Sequence, residues 1–460
     1  MGNSRDWCGG TGLRMRVLEG RAQRRVTRAL GFAGISAVLL SACTTAPDPA
    51  LIGDREVVGL EAEASQFVEN EALPIALPEA VLNAEWTHPG GNRLHRIPHV
   101  AFDAAGTLLW DVDIGQGDAR RQRINARPVV AGGAVFTVDA DSVVVATSTA
   151  GARLWSRSLI PDNERGGQGG SSGLAYGDVA SYVTTGYGEL VKLDPASGAE
   201  IWTQDLDALG GASVTYFDGR VYVAARDSIG WAINAETGRI DWQGTGTPSN
   251  SGYVGGAGPA VTDELAIFPF ISGELVATFR RGGLQRWNAT VLGNRLGVAY
   301  AQISDLSADP VVAGNRVYAS NPAGRLVAVD LGNGERLWTA REGTISTPAV
   351  AGGSLFFVSD RNALLRLDAA AGPPIWSQDL PFFEETRAKR QKTVFAHLGP
   401  VLAGGRLWLA SSDGALRSFD PVSGAQVSST PIRSGAATAP VVAGGVMYVV
   451  TKNGRLLAFR

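Results

Sequence analysis

From about residue 100 onward the chain alternates apolar and polar positions in short runs bounded by glycine. Arg316-Val317-Tyr318-Ala319 is one such run; Gly324-Arg325-Leu326-Val327-Ala328-Val329-Asp330 follows it, and Arg406-Leu407-Trp408-Leu409 is another. Period-two runs of this length, rich in Val, Ile, Leu and Tyr, predict strands. Segments with helical spacing of apolar residues are absent from this region. The close glycine punctuation predicts hairpin links between successive strands.

These runs recur in a fixed order. A phrase Pro-Val-Val-Ala-Gly-Gly begins at Pro128, and variants begin at Pro310, Pro348, Pro400 and Pro440, with a looser copy at Pro259. Each is followed by an alternating run, a glycine turn, a second run, and then a Gly with a Trp four residues later. The pairs are Gly106/Trp110, Gly151/Trp155, Gly198/Trp202, Gly238/Trp242, Gly283/Trp287, Gly334/Trp338 and Gly372/Trp376. Seven of the eleven tryptophans occupy this one slot. Asp194, Asn234, Asp330 and Asp368 stand four residues before their glycines, where a side-chain oxygen can cap a turn. A repeat of roughly 40–45 residues holding four short strands is a propeller blade.

The two ends of the repeat fit together. The unit at Pro400 keeps Asp420 and Gly424 but has Ser428 in place of Trp, and the unit at Pro440 runs out at Arg460 before its fourth strand. Conversely, Phe102 to Val112 looks like a fourth strand with no first three before it. The predicted fold is therefore an all-β, eight-bladed β-propeller of four-stranded antiparallel blades. An N-terminal strand joins the C-terminal blade and leaves no open edge at the join.

The residues upstream read differently. A basic run (Arg14, Arg16, Arg21, Arg24, Arg25, Arg28) precedes the 12-residue, largely apolar segment Ala29 to Leu40. That is too short for a membrane span of about 20 residues and suits a secretory leader. Met15 is the expected start. The leader ends Leu40-Ser41-Ala42-Cys43, which resembles the bacterial lipoprotein cleavage box. The resemblance implies that residues 1–42 are removed and that Cys43 carries lipid, with Thr44 favouring the outer membrane over the inner one. Residues 43–85, with four prolines and several Glu, are expected to be a tether, and 86–460 the propeller. The whole chain has net charge −3, which argues against a nucleic-acid partner. Cys8 and Cys43 are its two cysteines, too few for a disulfide scaffold.

The Asp-x-x-x-Gly-x-x-x-Trp phrase resembles the repeat of pyrroloquinoline-quinone (PQQ) propellers. Two families share it: quinoprotein alcohol dehydrogenases, and outer-membrane assembly lipoproteins of the BamB family. The dehydrogenases are longer, place a vicinal Cys pair against the quinone and bind Ca²⁺ near a catalytic Asp. A chain with one cysteine after its leader cannot form that pair. The leader, the length and the eight blades without large insertions resemble the BamB family. This implies no catalytic residue, metal or cofactor, and a non-catalytic scaffold on the periplasmic face of the outer membrane. Its partners would be BamA, the assembly complex and unfolded β-barrel clients. The alternatives are a quinone-dependent enzyme and another periplasmic propeller binding module.

The same resemblance places partner contacts in two neighbouring inter-blade loops, after Trp242 and after Trp287. Ile303-Ser304-Asp305-Leu306 matches the family's Leu-Ser-Asp-Val phrase, so Asp305 carries over. The family's next acid falls on Ser307, for which Asp309 is the expected substitute. In the first loop a family Leu-x-Leu-Arg phrase is replaced by Ser251-Gly252-Tyr253-Val254. Tyr253 and Val254 keep an apolar anchor, and Arg295 in the second loop would restore the missing charge.

Other motifs carry less. Gly166-Gly167-Gln168-Gly169-Gly170 has neither the helix nor the Lys-Ser/Thr of a phosphate loop. His88, His95 and His99 sit in a Pro/Gly-rich stretch without acids at metal spacing, which reads as a strap lying on the propeller. The charge run Glu384 to Lys392 lies in a long insertion after Trp376 and reads as a solvated loop.

Overall fold

In a computed structural model of the protein, residues 70–460 are described except 104–105, 121, 168–170, 250, 254, 294 and 296–301. Thirty-two strands, β1 to β32 in chain order, form eight four-stranded antiparallel sheets. We number the blades along the chain: blade 1 spans 129–158, blade 2 173–205, blade 3 210–245, blade 4 260–290, blade 5 311–340, blade 6 349–379 and blade 7 397–431. Blade 8 joins β30–β32 (441–459) to β1 (Leu108–Asp113). β1 pairs antiparallel with β32 (Arg455–Phe459), and Thr107 and Arg460 exchange backbone hydrogen bonds of 2.8 and 2.9 Å. The ring closes where the repeat predicted. A 3-10 turn, Ala388–Arg390, lies in the loop between blades 6 and 7.

Burial follows the sequence pattern. The second and third strands of each blade are buried nearly throughout, as in Ala134–Val138 and Arg325–Asp330. The outer strands alternate and face solvent with their charged positions. The apolar core is divided into clusters that lie between consecutive blades, and together these clusters cover all eight junctions.

The Gly-Gly of the repeated phrase makes the turn between the first two strands. Gly132 and Gly133 have φ of 56° and 77°, the left-handed region that a two-residue hairpin turn requires.

The N-terminal strap crosses the central channel at the end where these Gly-Gly turns lie, and it touches every blade. Trp86 exchanges backbone hydrogen bonds with Val130 in blade 1, Tyr176 N–H donates to Thr87 O in blade 2, and Tyr216 N–H donates to His88 Nε2 in blade 3. Val261 and Val312 donate to Arg93 O and Leu94 O in blades 4 and 5. Ile75 lies against Gly352 in blade 6, Val100 N–H donates to Leu402 O in blade 7, and Gly444 N–H donates to Asn83 O in blade 8. Residues 70–85, expected to belong to the tether, are therefore packed on the propeller from Asn70 onward. Residues 1–69, with the leader, Met15 and Cys43, lie outside the described residues.

Candidate functional site

Inter-blade loops ring the opposite end of the channel. Below them lies a cavity of about 230 Å³. Its floor is the strap (Trp86, Pro89, Ile97), and its wall comes largely from loop residues that precede inner strands, including Asn125, Arg127, Tyr253, Thr347 and Thr438. Trp86 is buried and seals the floor. The channel is thus a socket with one mouth.

Two carboxylates from the 291–310 loop fasten the loops around that mouth. Asp305, 1 % exposed, accepts from Arg226 Nη1 and Nη2 at 3.3 and 2.8 Å and from Tyr253 N–H at 2.8 Å. Arg226 belongs to a turn of blade 3 and also donates to Tyr253 O. One ion pair therefore ties blade 3, the 246–258 loop and the 291–310 loop together. Asn321 holds the same segment from blade 5 by donating to the carbonyls of Ser304 and Asp305.

Asp309 does the equivalent nearer the channel axis. It accepts from Gly258 N–H (2.9 Å) and Thr347 Oγ1 (2.7 Å) and pairs with Arg127 at 3.0 Å. Burial alone would raise its pKa, but Arg127, His95 and these two donors overcome that and hold it at about 2. Its charge is permanent at any physiological pH.

These are the residues expected to contact a partner, and the structure places them as follows. Asp305 and Asp309 are turned inward with their oxygens bonded to neighbouring loops, and there they hold those loops in place. Arg295 is likewise engaged: it pairs with Asp360 and approaches Glu342 at 3.6 Å, and it donates to Arg341 O at 2.9 Å. Ser307 is half-buried, and its hydroxyl has no hydrogen-bond partner among the described residues. Tyr253 is half-buried at the mouth, and Val254 lies outside the described residues. Among the residues these loops expose are Ser251, Gly252, Leu292 (45 %), Gln302 and, from the next loop, Ile345 (50 %). Arg226, Arg127, Thr347 and Asn321 carry no sequence signal, because their partners are brought to them only by ring closure.

The strap histidines are structural. His88 is bonded through both ring nitrogens, to Thr87 and to the Tyr216 backbone. His99 is bonded through both, to Pro78 O and Gly405 N–H, and His95 donates to Pro310 O. Burial lowers the pKa of His88 to about 3 and lowers that of His95 as well.

A family model described as outer membrane protein assembly factor BamB matches residues 140–378 and 383–460. The chain belongs to this family. The outer membrane protein assembly factor BamB of Yersinia pestis is 25 % identical over 370 residues, covering 79 % of this chain and 91 % of that protein. The crystal structure of BamB from Moraxella catarrhalis superposes with a TM-score of 0.62 at 16 % identity, covering 77 % of this chain and 100 % of that one. The quinohemoprotein alcohol dehydrogenase of Comamonas testosteroni reaches 0.61 at 16 % identity, covering 83 % and 81 %. At such identities the two structures attest the propeller fold alone, which BamB-family proteins share with the dehydrogenase.

The socket does not fit a quinone held with a divalent cation. Among the described residues no carboxylate or cysteine lines the cavity, and no group of three or more His, Cys, Asp or Glu is placed to hold a metal.

Proposed function

We propose that this chain is a non-catalytic scaffold lipoprotein of the outer-membrane β-barrel assembly complex. Lipid on Cys43 holds it at the periplasmic face of the outer membrane. There it binds the periplasmic domains of BamA and helps nascent barrel proteins reach the insertion site. The family match over most of the propeller carries this reading. The fastened loops support it, because a surface ordered before binding loses little entropy on binding. The contact is assigned to the loop exterior around Leu292, Ile345 and Tyr253, an apolar and aromatic group of hot-spot character. Asp305 and Asp309 act behind it by holding the loops.

A pull-down of the tagged chain from solubilised membranes tests this. BamA is expected in the eluate. Leu292→Asp combined with Ile345→Asp should lower its recovery by about tenfold without changing the melting temperature. A wild-type chain that recovers no BamA would sink the reading and favour a binding module outside the assembly machinery.

A further inference from the structure

The 380–396 loop of blade 6 is built unlike the other inter-blade loops. Phe383 and Val394 pair across it, Phe395 N–H donates to Phe382 O at 2.9 Å, and its base is held by Asn362 Nδ2 to Phe395 O at 2.8 Å and by His397 Nε2 to Pro381 O at 2.7 Å. This firm stem presents Phe382 and Phe383, 36 % and 41 % exposed with ring centroids 4.6 Å apart, together with Val394, 50 % exposed. Arg387, Lys389, Arg390 and Lys392 are exposed beside them, and none has an ion-pair partner among the described residues. Glu384 and Glu385 are the acids on the same loop, so basic charge exceeds acidic charge by two residues.

The chain's entry to the propeller lies at the same place. Asn70 bonds through its side chain to both backbone groups of Ser377, and Glu71 N–H donates to Ile375 O. The chain therefore runs antiparallel to β25 (Pro374–Asp379). It comes in from the Asp379 end, where the 380–396 loop leaves. Asn70, the first described residue, is thus bonded to the strand that leads directly into the 380–396 loop.

We propose that the 380–396 loop is a membrane-docking finger. Phe382, Phe383 and Val394 enter the interface of an anionic phospholipid surface, and the four basic side chains lie at its headgroups. A single weak attachment gains when a second one is added on the same side of the molecule. Basic residues beside shallowly buried aromatics are the composition that an anionic lipid surface attracts. The proposal rests on the lipid-anchored reading above, since the anchor is what brings this rim to a membrane.

The test uses the chain beginning at Thr44, which keeps every strand and the whole strap. It contains no cysteine, so Val394→Cys takes a single environment-sensitive fluorophore, and Glu236→Cys, exposed on a turn at the opposite face, serves as control. On vesicles containing phosphatidylglycerol the label at 394 should shift to the blue and the label at 236 should not. High salt should reverse the shift, and neutral vesicles should give none. Arg387→Glu with Lys389→Glu and Arg390→Glu should weaken partitioning by more than about tenfold. An unshifted label at 394 on anionic vesicles at low salt overturns the proposal. So does an equal shift on neutral vesicles, or a charge-reversed variant that partitions like the wild type. A shift that grows with protein concentration without vesicles would assign the loop to a second copy and also overturn it. The anchor is tested separately by the mass of the membrane-extracted chain. If Cys43 proves unmodified, the anchored reading fails while a shifted label at 394 still stands.

Discussion

Trp376 of blade 6 lies directly against Gly424 of blade 7. Its indole N–H donates to Pro421 O at 3.3 Å, and a Cβ on Gly424 would come within 2.7 Å of the ring. The same contact joins Trp155 to Gly198, Trp202 to Gly238, Trp242 to Gly283, Trp287 to Gly334 and Trp338 to Gly372. The Gly-x-x-x-Trp spacing is therefore two interactions with two different neighbours. The glycine serves the blade before it and the tryptophan the blade after. Gly424 also has φ of 74°, so Gly424→Ala adds backbone strain to a clash with a ring that cannot move aside. A loss of about 2–3 kcal/mol is expected, read as a lowered midpoint in urea.

That double use explains why the blades were legible in the sequence. Turn glycines, Asx caps and the Trp slot are local signals repeated in register, so even the seam between β1 and β32 followed from counting. Asp194 accepts from Ser197 N–H at 2.8 Å and Asp420 from Ser423 N–H at 2.7 Å, as their positions before the glycine predict. The partner loops were legible only in location. Whether Asp305 faces solvent or Arg226 depends on how three separate segments meet after the ring closes, and no local pattern encodes that. The strap, residues 70–101, lacks any alternation because along its length it meets eight different blades.

Val179 departs from the repeat and marks a correctable strain. It occupies the second turn position of blade 2, where blades 1, 3, 6, 7 and 8 have glycine, with φ of 52° and 75 % exposure. A β-branched residue is poorly suited to that region. Val179→Gly should raise stability by about 1 kcal/mol, seen as a higher melting temperature with unchanged partner binding.

Arg226 neutralises a carboxylate that water does not reach. Arg226→Ala would leave Asp305 buried and unpaired, a loss of about 3–5 kcal/mol. The double variant with Asp305→Leu should recover part of it, because the buried charge is removed too. Comparing the melting of the single and double variants checks this. The single variant should also weaken BamA recovery, by releasing the 246–258 loop.

Acid should weaken the strap's hold on the blades through its buried histidines. His88 is buried neutral, with its pKa held down at about 3 chiefly by burial, to which the neighbouring His95 and the Arg93 guanidinium add. The unfolded chain takes up that proton near 6.5 and the folded one does not. The stability this represents is complete above 6.5 and declines as pH falls from there toward 3. At pH 5 the loss is about 2 kcal/mol. Asp309 contributes nothing in this window, since its stabilisation is lost only below its ordinary value of 3.8. Melting temperatures between pH 7.5 and 5 should fall less steeply in His88→Gln than in the wild type.

The strap also makes a prediction about the channel. Trp86 fills the floor of the socket, at 1 % exposure, and stands among core residues shared by blades 1, 7 and 8. Because the strap touches all eight blades, removing this one side chain weakens a fastening that spans the ring. Trp86→Ala should cost about 3–5 kcal/mol and open the socket at both ends. The strap is bonded through its backbone at many separate points, so it should detach as a unit, while the blades keep their own interfaces. Limited proteolysis is the sensitive readout. Cleavage within residues 81–101 should quicken by more than about tenfold, while the fragment from Leu108 to Arg460 stays intact. Cleavage scattered across the blades at the same rate would mean that the strap is part of the propeller's core and not a separable plug.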